Sequence, residues 1–60
     1  MDLISQYSSA IRQEVLAWAL VKDRLPGTDN FSYELWRNWL NAVDEADRLA
    51  RAVINQAIRP

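Results

Sequence analysis

The side chains best suited to chemistry are acids and arginines in the second half of the chain. Asp44, Glu45 and Asp47 form the densest carboxylate cluster. On a helix, Asp44 and Asp47 point to one side and Glu45 to another, so we expect no metal site for a hard cation. Arg48 stands four residues after Asp44, the favourable order for an ion pair on a helix. Arg51 stands four residues after Asp47, so a second exposed ion pair is predicted.

The residue types most often used in catalysis are missing. The sequence contains no His and no Cys, which removes the commonest general base, the usual transition-metal ligands and the thiol nucleophile. Its single Gly cannot form the glycine-rich loop that cradles a phosphate group. We therefore expect a protein that has no enzymatic activity and binds no cofactor.

A stripe of arginines and asparagines is the feature that points to nucleic acid. Such donors suit phosphate oxygens and base edges, although two of the arginines have acidic neighbours that favour a salt-bridged, solvated face. Helical-hairpin dimers of the plasmid copy-number regulator type bind RNA through a polar helix face, a likeness of architecture alone. A nucleic-acid-binding regulator is therefore the alternative function. The candidate contacts are Arg37, Asn41, Arg48, Arg51, Asn55 and Arg59.

Composition and charge exclude several other classes of protein. Half of the residues are apolar and a quarter are charged, which is typical of a folded chain. The net charge of −1 gives no broad positive field for nucleic acid or anionic lipid. The longest uncharged apolar run, residues 15–21, is too short to span a bilayer, and Asp2 follows Met1 where a targeting segment would be basic. We expect a cytoplasmic protein without a membrane partner.

Turn-forming residues divide the chain at a single internal place, residues 25–30. Pro26 disfavours helix at the residue before it, and Asp2 can cap a helix that starts after it. The sequence thus predicts an all-α protein, an antiparallel hairpin of one helix at about residues 3–24 and a second at about 32–58. Residues 1–60 are expected to form a single domain.

One side of the first predicted helix is apolar. Residues that recur at steps of three and four fall on one face of a helix and are expected to form the core. Leu3 and Val21 lie at the edge of this face. The members of the predicted core face are Ile4, Tyr7, Ile11, Val15, Trp18 and Leu25.

The second predicted helix has a clear start. Ser32 can serve as its N-cap, and Phe31 can pack on Trp36 as a hydrophobic staple. A break at Asn41, where a third short helix would begin, is the alternative. The apolar residues that follow have the a and d spacing of a coiled-coil seam. They are Trp36, Trp39, Val43, Ala46, Ala50, Val53 and Ala57.

Antiparallel packing predicts which residues meet. Partner positions in such a hairpin have numbers that add up to roughly 57. This sets Trp18 near Trp39 and Ile11 near Ala46, so that large side chains meet small ones along much of the pair.

Apolar residues remain that the hairpin does not use. A chain of 60 residues is marginally stable alone, and without Cys or His the supplement left to it is oligomerisation. We expect Leu16, Leu20, Leu35 and Leu49 to mediate self-association into a homodimeric four-helix bundle. The competing interpretation is that single exposed leucines are normal.

Four further residues are candidate contacts for a larger protein partner. Phe31 and Tyr33 lie near the connector, where Tyr33 is the aromatic residue expected to be exposed. Glu14 and Asp47 interrupt apolar stripes, where an acid either fixes register and partner choice or reaches water from the edge. The sequence favours a protein–protein interaction module, a homodimeric regulator or adaptor. Its size suits a bacterial, phage or plasmid accessory protein, and the identity of its partner stays open.

Overall fold

Two helices lie side by side in the structure, a computed structural model that describes residues 2–58. Helix α1 spans Leu3–Val21 and helix α2 spans Tyr33–Ile58. They pack against each other as an antiparallel hairpin, which confirms the predicted all-α fold. The hairpin is a rod of 51 × 16 × 13 Å, only one helix thick, so most side chains have a path to solvent.

Helix α1 begins as predicted and ends early. The carboxylate of Asp2 accepts a hydrogen bond from the backbone N–H of Ile4 at 3.1 Å, as an N-cap does. At the other end, the helix stops at Val21, three residues before the predicted end. The N–H of Arg24 bonds to the carbonyl of Val21 at 2.9 Å, and the side chain of Asn30 donates to the carbonyl of Asp23 at 3.2 Å. These two hydrogen bonds differ from the bonds that a continuing helix would make, so residues 22–24 form turns.

The connector is organised around two carbonyl groups and one glycine. Thr28 donates to the carbonyl of Leu25 through its N–H at 3.1 Å and through its hydroxyl at 2.7 Å. The N–H of Phe31 then bonds to the carbonyl of Thr28 at 3.3 Å. Gly27 has a φ of +96°, a conformation that other residues adopt at a cost. The connector is therefore a set of defined turns that lead into α2.

The predicted start of α2 is confirmed. The hydroxyl of Ser32 accepts a hydrogen bond from the N–H of Leu35 at 3.3 Å, and its carbonyl accepts the N–H of Trp36 at 3.0 Å. The rings of Phe31 and Trp36 meet edge to face with centroids 6.3 Å apart, as a hydrophobic staple requires. The helix then runs without interruption to Ile58, so the alternative of a break at Asn41 is wrong.

Small residues form the contact between the helices. Of residues 2–58, the buried ones are Ala10, Ala17, Val21 and Ala46, and Val21 is the most completely buried. Three alanines at such a contact allow the two backbones to approach closely. On α1 the contact follows alternating steps of four and three, the spacing of a heptad seam. We call this the inner seam, and it consists of Leu3, Tyr7, Ala10, Glu14, Ala17 and Val21.

The predicted core face of α1 is wrong in its rotation about the helix axis. Val15 is 61% exposed, Ile4 54%, Trp18 39% and Leu25 38%, whereas Tyr7 and Ile11 are half-buried. Val21, expected at the edge, is the most buried residue, with 1% exposure. Two neighbouring faces of α1 both have helical spacing, and the face with smaller side chains packs on α2 because it allows the closer approach. The larger side chains are left beside the contact.

On α2 the contact includes much of the predicted seam together with Leu35 and Leu49. Ala46 is buried, and Trp39, Val43 and Val53 are half-buried, as the predicted seam requires. Ala57 is exposed, so the seam ends before it. The predicted meeting of Trp18 with Trp39 is confirmed, since their ring centroids are 5.0 Å apart.

Candidate protein interface

One broad side of the hairpin carries large apolar side chains that neither helix covers. On each helix, some residues are rotated away from the contact about the helix axis. In an antiparallel pair, residues that are rotated in the same sense along both chains face the same side of the pair. On α1 and α2 alike, the residues displaced in this sense are predominantly apolar. We call this side the open face. Its large apolar side chains are Ile4, Val15, Trp18, Trp36, Leu40 and Ile54.

Aromatic rings fix the end of the open face nearest the connector. Trp18 contacts Trp39, and Trp39 contacts Trp36 with ring centroids 5.1 Å apart. The edge contact of Phe31 with Trp36 extends this row into the connector. Tilted and edge-on ring pairs of this kind add to the stabilisation that burial provides. The row holds Trp18 in place although 39% of that side chain is exposed.

A shallow groove crosses the open face beside this row. It is lined by Glu14, Val15, Trp18 and Trp39, and three of these four residues are apolar. The groove is therefore suited to an apolar side chain of another molecule. The carboxylate of half-buried Glu14 lies at its edge, where a charge disfavours complete desolvation.

The opposite side of the hairpin is more polar than the open face. The groove found there is lined by Ser5, Ser9, Gln13 and Glu45 among other residues. Two exposed leucines, Leu16 and Leu20, also lie on this side. The larger group of exposed apolar side chains is therefore on the open face.

The four residues predicted to mediate self-association are divided by the fold. Leu35 and Leu49 are half-buried and contribute to the packing of α2 on α1. Leu16 and Leu20 are 57% and 54% exposed and lie away from the open face. Leu20 lines a groove near the connector together with Asp23, among other residues. The structure therefore leaves Leu16 and Leu20 available on the side opposite the open face.

The predicted partner contacts are also spread over the molecule. Tyr33 is 64% exposed at the start of α2, as expected for the aromatic residue outside the seam. Phe31 is partly covered by Trp36. Asp47 lies on the open face of α2 and pairs with Arg51 at 3.1 Å, whereas Glu14 lies on the inner seam.

The arginine stripe is partly neutralised. The predicted pair of Asp47 with Arg51 is confirmed. Arg48, however, pairs with Glu45 and not with Asp44. Steps of three and four are both neighbours on a helix, so the prediction chose the wrong one of two acids within reach. Both pairs are exposed and contribute little to stability.

The remaining members of the stripe do not form a separate site. Arg37, Asn41 and Asn55 are exposed on the outer side of α2. Arg59 lies outside the described residues. Acids interleave with the arginines along this side, so no continuous positive surface arises within residues 2–58.

Other chemistry is not brought together by the fold. Within residues 2–58, no group of three or more acidic, His or Cys side chains is arranged to hold a metal ion. Neither of the two described helices combines the length and the apolar character that crossing a membrane requires.

Fold and surface together define the chain as a helical hairpin with one uncovered apolar side. No protein-family model, characterised protein or solved structure matches it.

Proposed function

We propose that this chain is a small protein–protein interaction module that acts as a homodimeric regulator or adaptor. The observation that supports this most strongly is the open face, where large apolar side chains on both helices are accessible together. Scattered apolar residues are normal on a protein surface, whereas a contiguous apolar side bordered by polar residues is typical of an interaction site.

The thin core supports the same proposal. The buried residues among those described are three alanines and one valine, whose side chains remove little apolar area from water. A chain of this length has few other means of support, since it contains no Cys for disulfides and no His. Association supplies the missing burial.

A larger protein partner would meet the dimer elsewhere. Tyr33 projects near the connector, and an exposed aromatic ring at a rigid helix start is suited to anchor a partner. The dimer would then present two copies of each contact to its partner.

The proposed accessory role in a phage, plasmid or bacterium rests on the size of the chain.

Sedimentation equilibrium tests the proposal in its simplest form. We expect the protein to pass from a 7.0 kDa species to one of twice that mass as its concentration rises into the micromolar range. Its midpoint of thermal unfolding should rise over the same range, because the stability of a dimer depends on protomer concentration. A 7.0 kDa monomer that persists at high micromolar concentration would contradict the proposal.

Nucleic-acid binding is the alternative function that would replace the proposed protein–protein interaction. Titration of the protein into RNA and DNA at several salt concentrations detects phosphate contacts, because each contact steepens the dependence of affinity on salt. We expect weak binding without a steep slope, because acids lie among the arginines of α2. Tight, salt-sensitive binding would favour a regulator that uses the arginine stripe.

A further inference from the structure

We propose that the open face is the dimer interface and that its occupant is the open face of a second copy of this chain, forming a four-helix bundle. This inference rests on the proposed function and adds the face and the mode of docking. It places the interface on the side of the hairpin opposite to the exposed surface of Leu16 and Leu20.

The spacing of the open face matches two partner helices. On α1, Ile4, Ser8, Ile11, Val15, Trp18 and Lys22 follow alternating steps of four and three. On α2, Trp36, Leu40, Val43, Asp47, Ala50 and Ile54 do the same. Each helix therefore has a second heptad seam beside its inner seam, which is how a helix with two neighbours in a four-helix bundle is built.

A partner with one helix would leave one of these two outer seams uncovered. The two seams run along neighbouring antiparallel helices, so the best cover is another pair of helices with matching spacing. A second copy of the hairpin supplies such a pair, with apolar side chains at the same intervals. The contact would then be isologous, with the same patch on both protomers.

The surface area of the chain agrees with an interface of ordinary size. A compact monomer of 7.0 kDa exposes about 4,000 Å² by the usual scaling with mass. The hairpin exposes 4874 Å², about 900 Å² more, and stable interfaces bury about 800 Å² on each partner. The extra area of this rod-shaped chain is therefore large enough for one such contact on each copy.

An isologous contact explains why assembly would stop at two copies. The open face of each protomer is covered by the open face of the other, so the contact closes on itself. Two charged residues lie along this face, Lys22 and Asp47, and Asp47 pairs with Arg51 at 3.1 Å. The opposite side, where Ser5, Ser9 and Gln13 line a groove, stays in water.

Two alanine substitutions with matched exposure test the proposal. Ile54 on the open face and Leu16 away from it are 58% and 57% exposed, and each loses three carbon atoms when replaced by alanine. We expect Ile54→Ala to raise the dimer dissociation constant about 100-fold. This value takes about 0.8 kcal/mol for each lost carbon atom, multiplied by the exposed fraction and by the two copies in the dimer. Leu16→Ala should change it less than about threefold, since its side chain stays in water. Sedimentation equilibrium measures both constants.

A second variant and a folding control keep the result interpretable. Leu40→Ala, at 46% exposure, should raise the dissociation constant about 40-fold by the same reasoning. Circular dichroism at high protein concentration shows whether each variant is still helical. If Leu16→Ala weakens the dimer as much as Ile54→Ala, the assignment of the face is wrong although the proposed homodimer stands. If the unmodified protein is a monomer throughout, both proposals fail.

Discussion

Replacing either of two valines on α1 by alanine separates packing within one chain from packing between chains. Val21 packs against α2 and is 1% exposed, whereas Val15 lies on the open face and is 61% exposed. Both lie on the same helix, and both substitutions remove the same two methyl groups. Alanine is a good helix former, so neither change weakens the helix itself. The difference between the variants therefore reports where each side chain is buried.

The expected magnitudes follow from exposure. Val21→Ala loses about 1.6 kcal/mol of transfer free energy and leaves a cavity, so the free energy of unfolding should fall by about 2 to 3 kcal/mol. Val15→Ala loses the exposed 61% of a similar transfer term on dimerisation, about 1 kcal/mol for each protomer. Two copies give about 2 kcal/mol for the dimer, which weakens association about 30-fold.

Thermal unfolding at a series of protein concentrations distinguishes the two effects. The midpoint for Val21→Ala should fall at every concentration, because the hairpin contact is lost in monomer and dimer alike. The midpoint for Val15→Ala should fall where the unmodified protein is dimeric and approach the unmodified value on dilution. A loss for Val15→Ala that is independent of concentration, or no loss at all, would refute the burial of Val15 between protomers.

The remaining predictions concern the connector, the start of α2 and the arginine stripe. Gly27→Ala should lower the free energy of unfolding by about 1 kcal/mol in chemical denaturation, because φ is +96° and an added Cβ meets no atom within 4 Å that offsets the strain. Ser32→Ala removes the N-cap of α2 and should also cost about 1 kcal/mol in the same assay, whereas a loss below about 0.3 kcal/mol would contradict the capping role. Arg48→Gln combined with Arg51→Gln removes two exposed ion pairs, so the loss should not exceed about 1 kcal/mol. The same double variant should leave RNA and DNA binding unchanged in a salt titration, and a shallower salt slope would point to phosphate contacts.

The local features of the fold were predictable from sequence. Asp2 and Ser32 cap their helices, and Phe31 packs on Trp36, because these interactions connect residues only a few positions apart. The end of α1 was not predictable in the same way. The hydrogen bond from Asn30 to the carbonyl of Asp23 spans seven residues and depends on the shape of the whole connector.

The rotation of α1 could not be read from periodicity. Its inner seam and its outer seam have the same steps of three and four, and the outer seam contains the larger apolar residues. Hydropathy alone therefore selects the face of Val15 and Trp18 as the core. Ala10 and Ala17 face α2 instead, because small side chains let the backbones come close. Hydropathy therefore places only Tyr7 of the inner seam in the core, with Leu3 and Val21 at its edge, and does not identify the contact made by Ala10 and Ala17.

An uncovered apolar surface was predictable from the sequence, whereas the position of the candidate interface was predictable only in part. An excess of apolar surface indicates self-association, and the structure exposes Val15, Leu40 and Ile54 together on the open face while Leu16 and Leu20 are exposed on the opposite side. Hydropathy assigns the face of Val15 to the core, which leaves the leucines of the other faces as the predicted contact residues. Because the core face of α1 was assigned wrongly, the predicted contact surface lies on another side of the same helix.

Isotope-filtered nuclear Overhauser spectroscopy tests the central claim most directly. A dimeric sample is prepared from equal amounts of labelled and unlabelled protein, so that only contacts between protomers give signals. If the open faces meet, the methyl groups of Val15, Leu40 and Ile54 give intermolecular signals to protons of the other copy, and those of Leu16 and Leu20 give none. Intermolecular signals from Leu16 and Leu20, with none from the open face, would contradict it.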